Sequence, residues 1–298
     1  MQPILITGIS GFIGGHVWSL MENREDVIGV YGFSGTIPLK QESQYFVDLE
    51  KPETLVALVN KLQPRCILHI AAISSPNVCQ KNALRAWRVN HAAVRELVIA
   101  AEKISARVII TSSDQVFSGL RGYYREDDRP DPVNIYGETK KAAEKSLFAV
   151  ATNGVAVRVN NTYGPVRYGG ASFSDWILQR YEKNEPITLF KDQFRSPIDV
   201  ITLSRALIEL CESAYRGLIH IGGQHRLSRV QFGKILLETL RKETTGIVEL
   251  SNDEYDPKGI MPEDTSFDIS LARRILKTPI PSIREGIALA YGDNQNEV

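Results

Sequence analysis

A tyrosine and a lysine four residues apart, Tyr136 and Lys140 in "NIYGETKKAAEK", form the pair in this chain best suited to chemistry. On a helix, residues at that spacing share one face. A phenol ordinarily titrates at about 10, and an ammonium beside it favours the phenolate and draws its pKa toward neutral pH. A tyrosine tuned in this way can pass a proton to or from a substrate oxygen. Ser113, at the end of the apolar run "RVIITSS", offers a hydroxyl for the charge that develops on that oxygen. Ser112 takes the role if the strand slips by one residue, because neighbours on a strand face opposite sides. A Y-x-x-x-K spacing alone also describes two solvated neighbours on a helix, so the rest of the chain has to decide.

The second chemical feature is "TGISGFIG", with Gly8, Gly11 and Gly14 between an apolar run and a helical pattern. Strand, glycine turn and helix in that order make an anion site. One glycine permits the turn, another admits a pyrophosphate to backbone N–H groups at the helix start, and the third lets helix and strand approach. The acidic residue that usually meets a ribose hydroxyl about 20 residues later is missing from "YGFSGTIPLK". Ser34, Thr36 and Lys40 stand there instead and suit a 2′-phosphate, a lean toward NADP over NAD. Asp48, after the next short apolar run, can accept from an adenine amino group or serve as a charge partner at a helix start.

These residues need a frame, and the hydrophobic rhythm supplies it. Short β-branched runs at 4–7, 27–31, 45–47, 66–71, 107–113 and 155–160 read as strands. Helical patterns alternate with them, including one continuous helix over 83–104. In that helix Leu84, Trp87, His91, Val94, Val98 and Ala101 form one stripe. Such alternation predicts an α/β fold, a Rossmann-type doubly wound parallel sheet covered on both faces. After Asn160 the rhythm loosens. Helices are expected at 172–183 and 199–214, a strand at 217–222, and a helix after Ser228, which is placed to cap it. The expected organisation is a nucleotide-binding domain over 1–160 with a return segment near 197–222. Residues 161–298 would make a smaller, irregular, mainly substrate-binding part.

Composition narrows the function classes. Of 298 residues 43% are hydrophobic and 23% charged, with a formal net charge of zero. That balance fits a globular protein and lacks the basic surplus of a nucleic-acid binder. No apolar run is long enough for a membrane helix. The apolar start "MQPILITGISGFIGG" has no basic first segment, and it is expected to be folded structure instead of a leader. Cys66, Cys79 and Cys211 form no C-x-x-C pair and read as buried, reduced thiols, consistent with a cytoplasmic protein. The five histidines have no metal-ligand spacing, and no metal is expected. His69 and His220 read as core residues, and Arg158 as half of a structural ion pair.

"TGISGFIG", "DL" (48–49), "HIAA" (69–72), "VN" (89–90), "SSDQVF" (112–117), "YGETK" (136–140) and "VRVNNTYGP" (157–165) resemble, in order and over most of the chain, the extended short-chain dehydrogenase/reductase family. The resemblance implies a catalytic trio of Ser113, Tyr136 and Lys140. It implies a cofactor cradle of Gly8, Gly11, Phe12, Ile13, Gly14, Ser34, Asp48, Leu49, Ala71, Ala72 and Asn90, with Tyr136 and Lys140 also touching the cofactor. Substrate contacts are implied at Ser74, Gln115, Asn161 and Arg195, with Arg167 a weaker candidate. The segment around Tyr136 is similar to the dTDP-4-dehydrorhamnose reductase branch, whereas "VRVNNTYGPVRYGG" and "FKDQFRSPIDV" are more similar to nucleotide-sugar epimerases. Two positions depart from the reductase branch. Gln115 stands where it carries an aromatic residue, and Met261 precedes Pro262 where it carries Arg.

The implied activity is reduction of a nucleotide-activated keto sugar, most like a 4-keto-6-deoxyhexose, with NADP or NAD. Two alternatives stay open. One is a 4-epimerase with tightly held NAD; the other is a non-catalytic regulatory subunit, as in methionine adenosyltransferase. A homodimer through helices 83–104 and 136–149 is expected.

Overall fold

The computed structural model describes residues 2–32, 43–255 and 261–292. In chain order the first half contains β1 (Ile4–Thr7), α1 (Phe12–Met21), β2 (Val27–Tyr31), β3 (Gln44–Phe46), α2 (Pro52–Leu62), β4 (Cys66–His69), α3 (Pro76–Lys81) and α4 (Ala83–Trp87). A π-helical turn over Arg88–Ala92 leads into α5 (Ala93–Lys103), followed by β5 (Arg107–Ser113), α6 (Ile135–Val150) and β6 (Gly154–Val159). The second half contains β7 (Thr162–Tyr163), α7 (Phe173–Glu182), β8 (Ile187–Phe190), β9 (Phe194–Arg195), β10 (Ile198–Asp199), α8 (Val200–Glu212) and β11 (Gly217–Ile221). It ends with β12 (Leu227–Ser228), α9 (Arg229–Thr239), β13 (Ile247–Leu250), α10 (Asn252–Tyr255), α11 (Ser270–Ile275) and α12 (Ile283–Tyr291).

Seven strands make one sheet in the order β11-β6-β5-β4-β1-β2-β3, every neighbouring pair parallel. The alternation in "ILIT" shows why both faces are covered. Ile4 and Ile6 join Val17, Trp18, Leu203 and Leu207 of α1 and α8 on one face. Leu5 joins Leu55, Val59, Val94, Leu97 and Leu147 of α2, α5 and α6 on the other. A period of two therefore buries the whole strand, the pattern of a parallel sheet flanked by helices. The strand order reverses between β1 and β4, a switch point that leaves a crevice at the strands' C-terminal ends.

Around a third core of Tyr163, Ile177, Leu189, Phe232, Leu236 and Ile287 the second half builds short ladders: β7 with β10, β9 with β12, and β8 with β13. None of these short strands is legible as a periodic run, unlike the return strand β11 of the large sheet. Ser228 caps α9 as expected, and Gln231 closes the reciprocal capping box. None of the described helices is long and apolar enough to cross a membrane.

Two expectations are corrected. The third strand begins one residue earlier and spans Gln44–Phe46. The helix expected over 83–104 is interrupted by the π turn. An extra residue in a helical turn rotates all that precedes it, so the single stripe breaks. Val94, Val98 and Ala101 are buried, but Leu84 is 86% exposed.

Candidate active site

A cleft of about 590 Å³ opens at the switch point. The glycine turn forms its floor. Gly8 has φ +82°, and a Cβ there would meet the Ala71 backbone N at 2.8 Å; one on Gly14 would reach the Gly8 carbonyl oxygen at 2.0 Å. Two of the three glycines are thus required by contact between β1, α1 and the loop after β4. α1 starts without a side-chain cap and has no acidic residue in its first turn, so its positive end faces the cleft beside Phe12 and Ile13. Open backbone donors, no competing carboxylate and small residues at Ala71 and Ala72 fit the pyrophosphate of a dinucleotide.

Tyr136 and Lys140 enter from α6. Asn134 caps this helix, its side-chain oxygen accepting from Gly137 N at 2.8 Å. Gly137 lies so close to the turn after β5 that a Cβ would sit 2.0 Å from the Gln115 carbonyl oxygen. The missing side chain lets the helix start press against the end of β5. Tyr136, Lys140 and Ser113 are all buried and all line the cleft. Lys140 Nζ donates to the Thr111 carbonyl at 2.8 Å, leaving its other N–H donors for a ligand. Ser113 Oγ donates to Asp114 Oδ1 at 3.0 Å and accepts from Gln115 N at 3.2 Å.

Burial sets the titration of this group more than the pair itself does. It pushes the Tyr136 phenol above its ordinary range, opposed by a hydrogen bond with Ser113. Burial also pulls Lys140 down to about 8, opposed by Glu144. The expectation that the ammonium draws the phenol toward neutral pH is therefore corrected for the ligand-free protein: desolvation outweighs charge. A protonated phenol is the form that donates a proton.

Alternation decides between the two serines. Ser113 faces Tyr136, while Ser112 Oγ donates to Glu144. Glu144 in turn holds Arg158 through two bonds of 2.9 and 2.8 Å, both partners being buried. Arg158 is thus the structural ion-pair residue expected. It also meets His220 at 3.2 Å, and His220 reaches the Tyr124 carbonyl at 3.1 Å. His69 uses Nδ1 on Thr7 Oγ1 at 2.9 Å, but its Nε2 is buried without a partner.

Asp48, Leu49, Ser74, Gln115 and Asn161 line the same cleft. One Asp48 oxygen accepts from Glu50 N at 2.9 Å. Ser34, with Thr36 and Lys40, lies outside the described residues. Asn90 is not in the lining. It accepts from Ile73 N at 2.8 Å, donates to the Ile73 carbonyl at 3.0 Å, and donates to Thr139 Oγ1 at 3.3 Å. It therefore fastens the loop after β4 to α6, and it sits in the π turn, whose extra residue carries it inward.

Arg195 departs from its expected role in the substrate pocket. It is 2% exposed. Nη1 donates to the Phe194 and Glu263 carbonyls at 2.6 and 2.9 Å, and Nη2 to the Pro262 carbonyl at 2.9 Å. Its Nε lies 3.3 Å from Asp114. With its donors occupied by protein oxygens, Arg195 braces the back of the cleft and does not line it.

Sequence reasoning assigned no role to Asp114, Thr111 or Gly170. Asp114 is buried in the lining, accepts from Ser113 and from Thr265, and pairs ionically with Arg195. Its signal was an acid directly after a serine at a strand end. Thr111 acts through its carbonyl, which no residue type announces. Gly170, at φ +88°, approaches Phe12 N so closely that a Cβ would lie 2.6 Å away, so the loop after β7 closes over the start of α1.

Fold and cleft define a Rossmann-type protein with the ordered motifs of the extended short-chain dehydrogenases/reductases. The family model described as "RmlD substrate binding domain" matches residues 1–295, and the chain belongs to that family. A curated relative, the "Probable low-salt glycan biosynthesis reductase Agl14" of Haloferax volcanii, is 25% identical over 95% of both chains. The "Methionine adenosyltransferase 2 subunit beta" of Bos taurus is 28% identical over 77% of this chain and 70% of that one. A solved structure described as a hypothetical dTDP-4-dehydrorhamnose reductase from Sulfolobus tokodaii superposes with a TM-score of 0.81 at 29% identity, covering 93% of this chain and 96% of that one.

Proposed function

We propose that this protein reduces the keto group of a nucleotide-activated sugar, most like a 4-keto-6-deoxyhexose, with a nicotinamide dinucleotide. The observation that carries this reading is the convergence of Ser113, Tyr136 and Lys140 in one cleft with the uncapped start of α1. Backbone N–H groups of Phe12 and Ile13 would hold the pyrophosphate, Asp48 and Leu49 the adenosine end, and Lys140 the nicotinamide ribose. When bound, the dinucleotide supplies the hydride.

The chain's own residues handle the proton. Gln115 N holds the Ser113 oxygen, so that the hydroxyl hydrogen can turn from Asp114 to the sugar carbonyl. Tyr136, kept protonated by burial, gives its proton to the same oxygen as it becomes an alkoxide. Lys140, anchored on Thr111, supplies positive charge beside the phenolate left behind. Agl14, a reductase by its name, supports the reaction class.

A second reading, a binding subunit without turnover, is favoured by the likeness to the methionine adenosyltransferase subunit. One experiment separates the readings. The purified chain is given NADPH or NADH with keto sugar nucleotides, and both cofactor and sugar are assayed. Consumption of reduced cofactor matched mole for mole by reduced sugar is expected. Interconversion without net consumption would mean an epimerase, and binding without conversion a regulatory subunit. Tyr136→Phe is expected to lower kcat at least about 100-fold, with cofactor Kd unchanged. Near-normal turnover in that variant would remove Tyr136 from the acid role.

We also propose a homodimer through the segment 83–104 and α6. Supporting it, Trp87 of α4 and Glu138, Lys141, Ala142 and Lys145 of α6 line a shallow groove of about 430 Å³. Leu84 and Phe148, each three residues along the same helical faces, are 86% and 46% exposed.

A further inference from the structure

Among the described residues the charged side chains that line the cleft are Asp48, Glu50, Arg85, Asp114 and Lys140. Asp114 and Lys140 belong to the reacting end, bonded to Ser113 and to the Thr111 carbonyl. Asp48 and Glu50 follow β3, the edge strand, whereas Thr111 lies in β5, four places away in the strand order. Four strand spacings come to about 19 Å. Arg85 is bonded to Glu50, so the two cations of the lining, Lys140 and Arg85, serve different parts of any ligand that fills the cleft.

Arg85 reaches the far end from α4. Val89, four residues on, also lines the cleft, and residues at that spacing share a helical face. Arg85 Nε donates to Glu50 Oε1 at 2.7 Å. Among the described residues Nη1 and Nη2 have no acceptor, and no aromatic ring covers the guanidinium. Glu50 stands on a fixed loop: its N donates to Asp48 Oδ1 at 2.9 Å, and Lys51 N donates to the Asp48 carbonyl at 2.9 Å. With side chains 51% and 33% exposed, one such ion pair adds little to stability. What sets it apart is position. It joins the loop after β3 to α4, and both of its residues belong to the wall of the adenosine end.

A guanidinium held at Nε keeps its plane and presents a flat face, which suits stacking on a heteroaromatic base. A 2′-phosphate fits this wall less well. Asp48 and Glu50 set two carboxylates against one guanidinium, and a phosphate there would meet like charge.

We propose that Arg85 packs its guanidinium face on the adenine of the dinucleotide, with Glu50 holding its plane, and so serves NAD and NADP alike. This inference rests on the dinucleotide part of the function proposed above.

The test uses the full-length protein with Arg85→Ala and Arg85→Lys variants, checked for intact folding by thermal melting. Calorimetry gives affinities for NADH, NADPH, 5′-AMP, 2′,5′-ADP and nicotinamide mononucleotide. Arg85→Ala is expected to lose about fivefold in affinity for NADH, NADPH and both adenosine phosphates alike, with nicotinamide mononucleotide unchanged. Arg85→Lys, which keeps the charge and loses the plane, is expected to recover less than half of the loss. A loss confined to NADPH and 2′,5′-ADP would assign the guanidinium to the 2′-phosphate and overturn the proposal. Wild-type affinity for every probe in Arg85→Ala, or full affinity in Arg85→Lys, overturns it too. Equal losses for NADH and NADPH in a protein that turns over no keto sugar would support the adenine contact and sink only the proposed reduction. Wild-type protein that binds neither dinucleotide overturns both.

Discussion

Lys140 carries the sharpest residue-level consequence. Its ammonium is held by the Thr111 carbonyl, and burial brings its pKa from an ordinary 10.5 to about 8. The Tyr136 phenol moves the other way, above its ordinary range. Of the two groups, Lys140 is therefore the one that titrates as pH rises from neutral. If the ammonium is the active form, kcat/KM for keto-sugar reduction is full below about 8 and falls tenfold per pH unit above it, a profile that reports the free protein. Stability runs in the opposite sense. Between about 8 and 10.5 the unfolded chain binds a proton that the folded chain has lost, so the contribution of this residue to stability rises with pH. A pH series of initial rates beside a pH series of melting temperatures checks both signs. A descending limb that persists unchanged in Lys140→Arg, which cannot deprotonate in this range, would assign the titration elsewhere.

At the scale of elements, the site depends on how closely α6 approaches the end of β5. Gly137 is the contact point, with the Gln115 carbonyl oxygen 2.0 Å and Pro132 Cβ 2.8 Å from where a Cβ would stand. In Gly137→Ala the first turn of α6 has to move off the sheet, carrying Tyr136 with it. The expected cost is about 1–3 kcal/mol of stability, and kcat falls about tenfold or more because a small misplacement of the acid is amplified in the rate. Lys140, one turn deeper and tied to Thr111, moves less, so cofactor affinity changes little. Unchanged kcat with a lowered melting temperature would mean that the contact serves packing alone. The glycine spacing, Tyr136, Lys140 and Ser113 were legible in the sequence because each depends on neighbours a few residues away. The π turn was not, because the 3.6-residue stripe from Leu84 to Ala101 is a real pattern that an inserted residue shifts. Asn90 was legible as a residue of interest, but its partners, Ile73 and Thr139, are set by tertiary contact.

For the whole molecule, a parallel sheet covered on both faces followed from the alternation of strands and helices, whereas the short ladders of the second half followed from nothing local. Arg195 illustrates the limit. Its charge was visible, but the carbonyls of Pro262 and Glu263, almost 70 residues on, occupy it. The remaining large-scale feature is the outer face of α4 and α6. Leu84 projects there because the π turn rotates α4 out of the core stripe, and Phe148 lies on the corresponding face of α6. Apolar residues on two adjacent helices, beside the groove at Trp87, suit an isologous contact in which the same four helical segments meet across a two-fold axis. Light scattering at micromolar concentration is expected to give the mass of a dimer. Leu84→Glu combined with Phe148→Glu should yield a monomer, because each charge is introduced twice across the axis. Both positions are solvent-exposed in the single chain, so the melting temperature of a dissociated variant should drop only through the lost association. A wild-type monomer, or a dimer that survives both charges, would send the search for an interface to another face of the molecule.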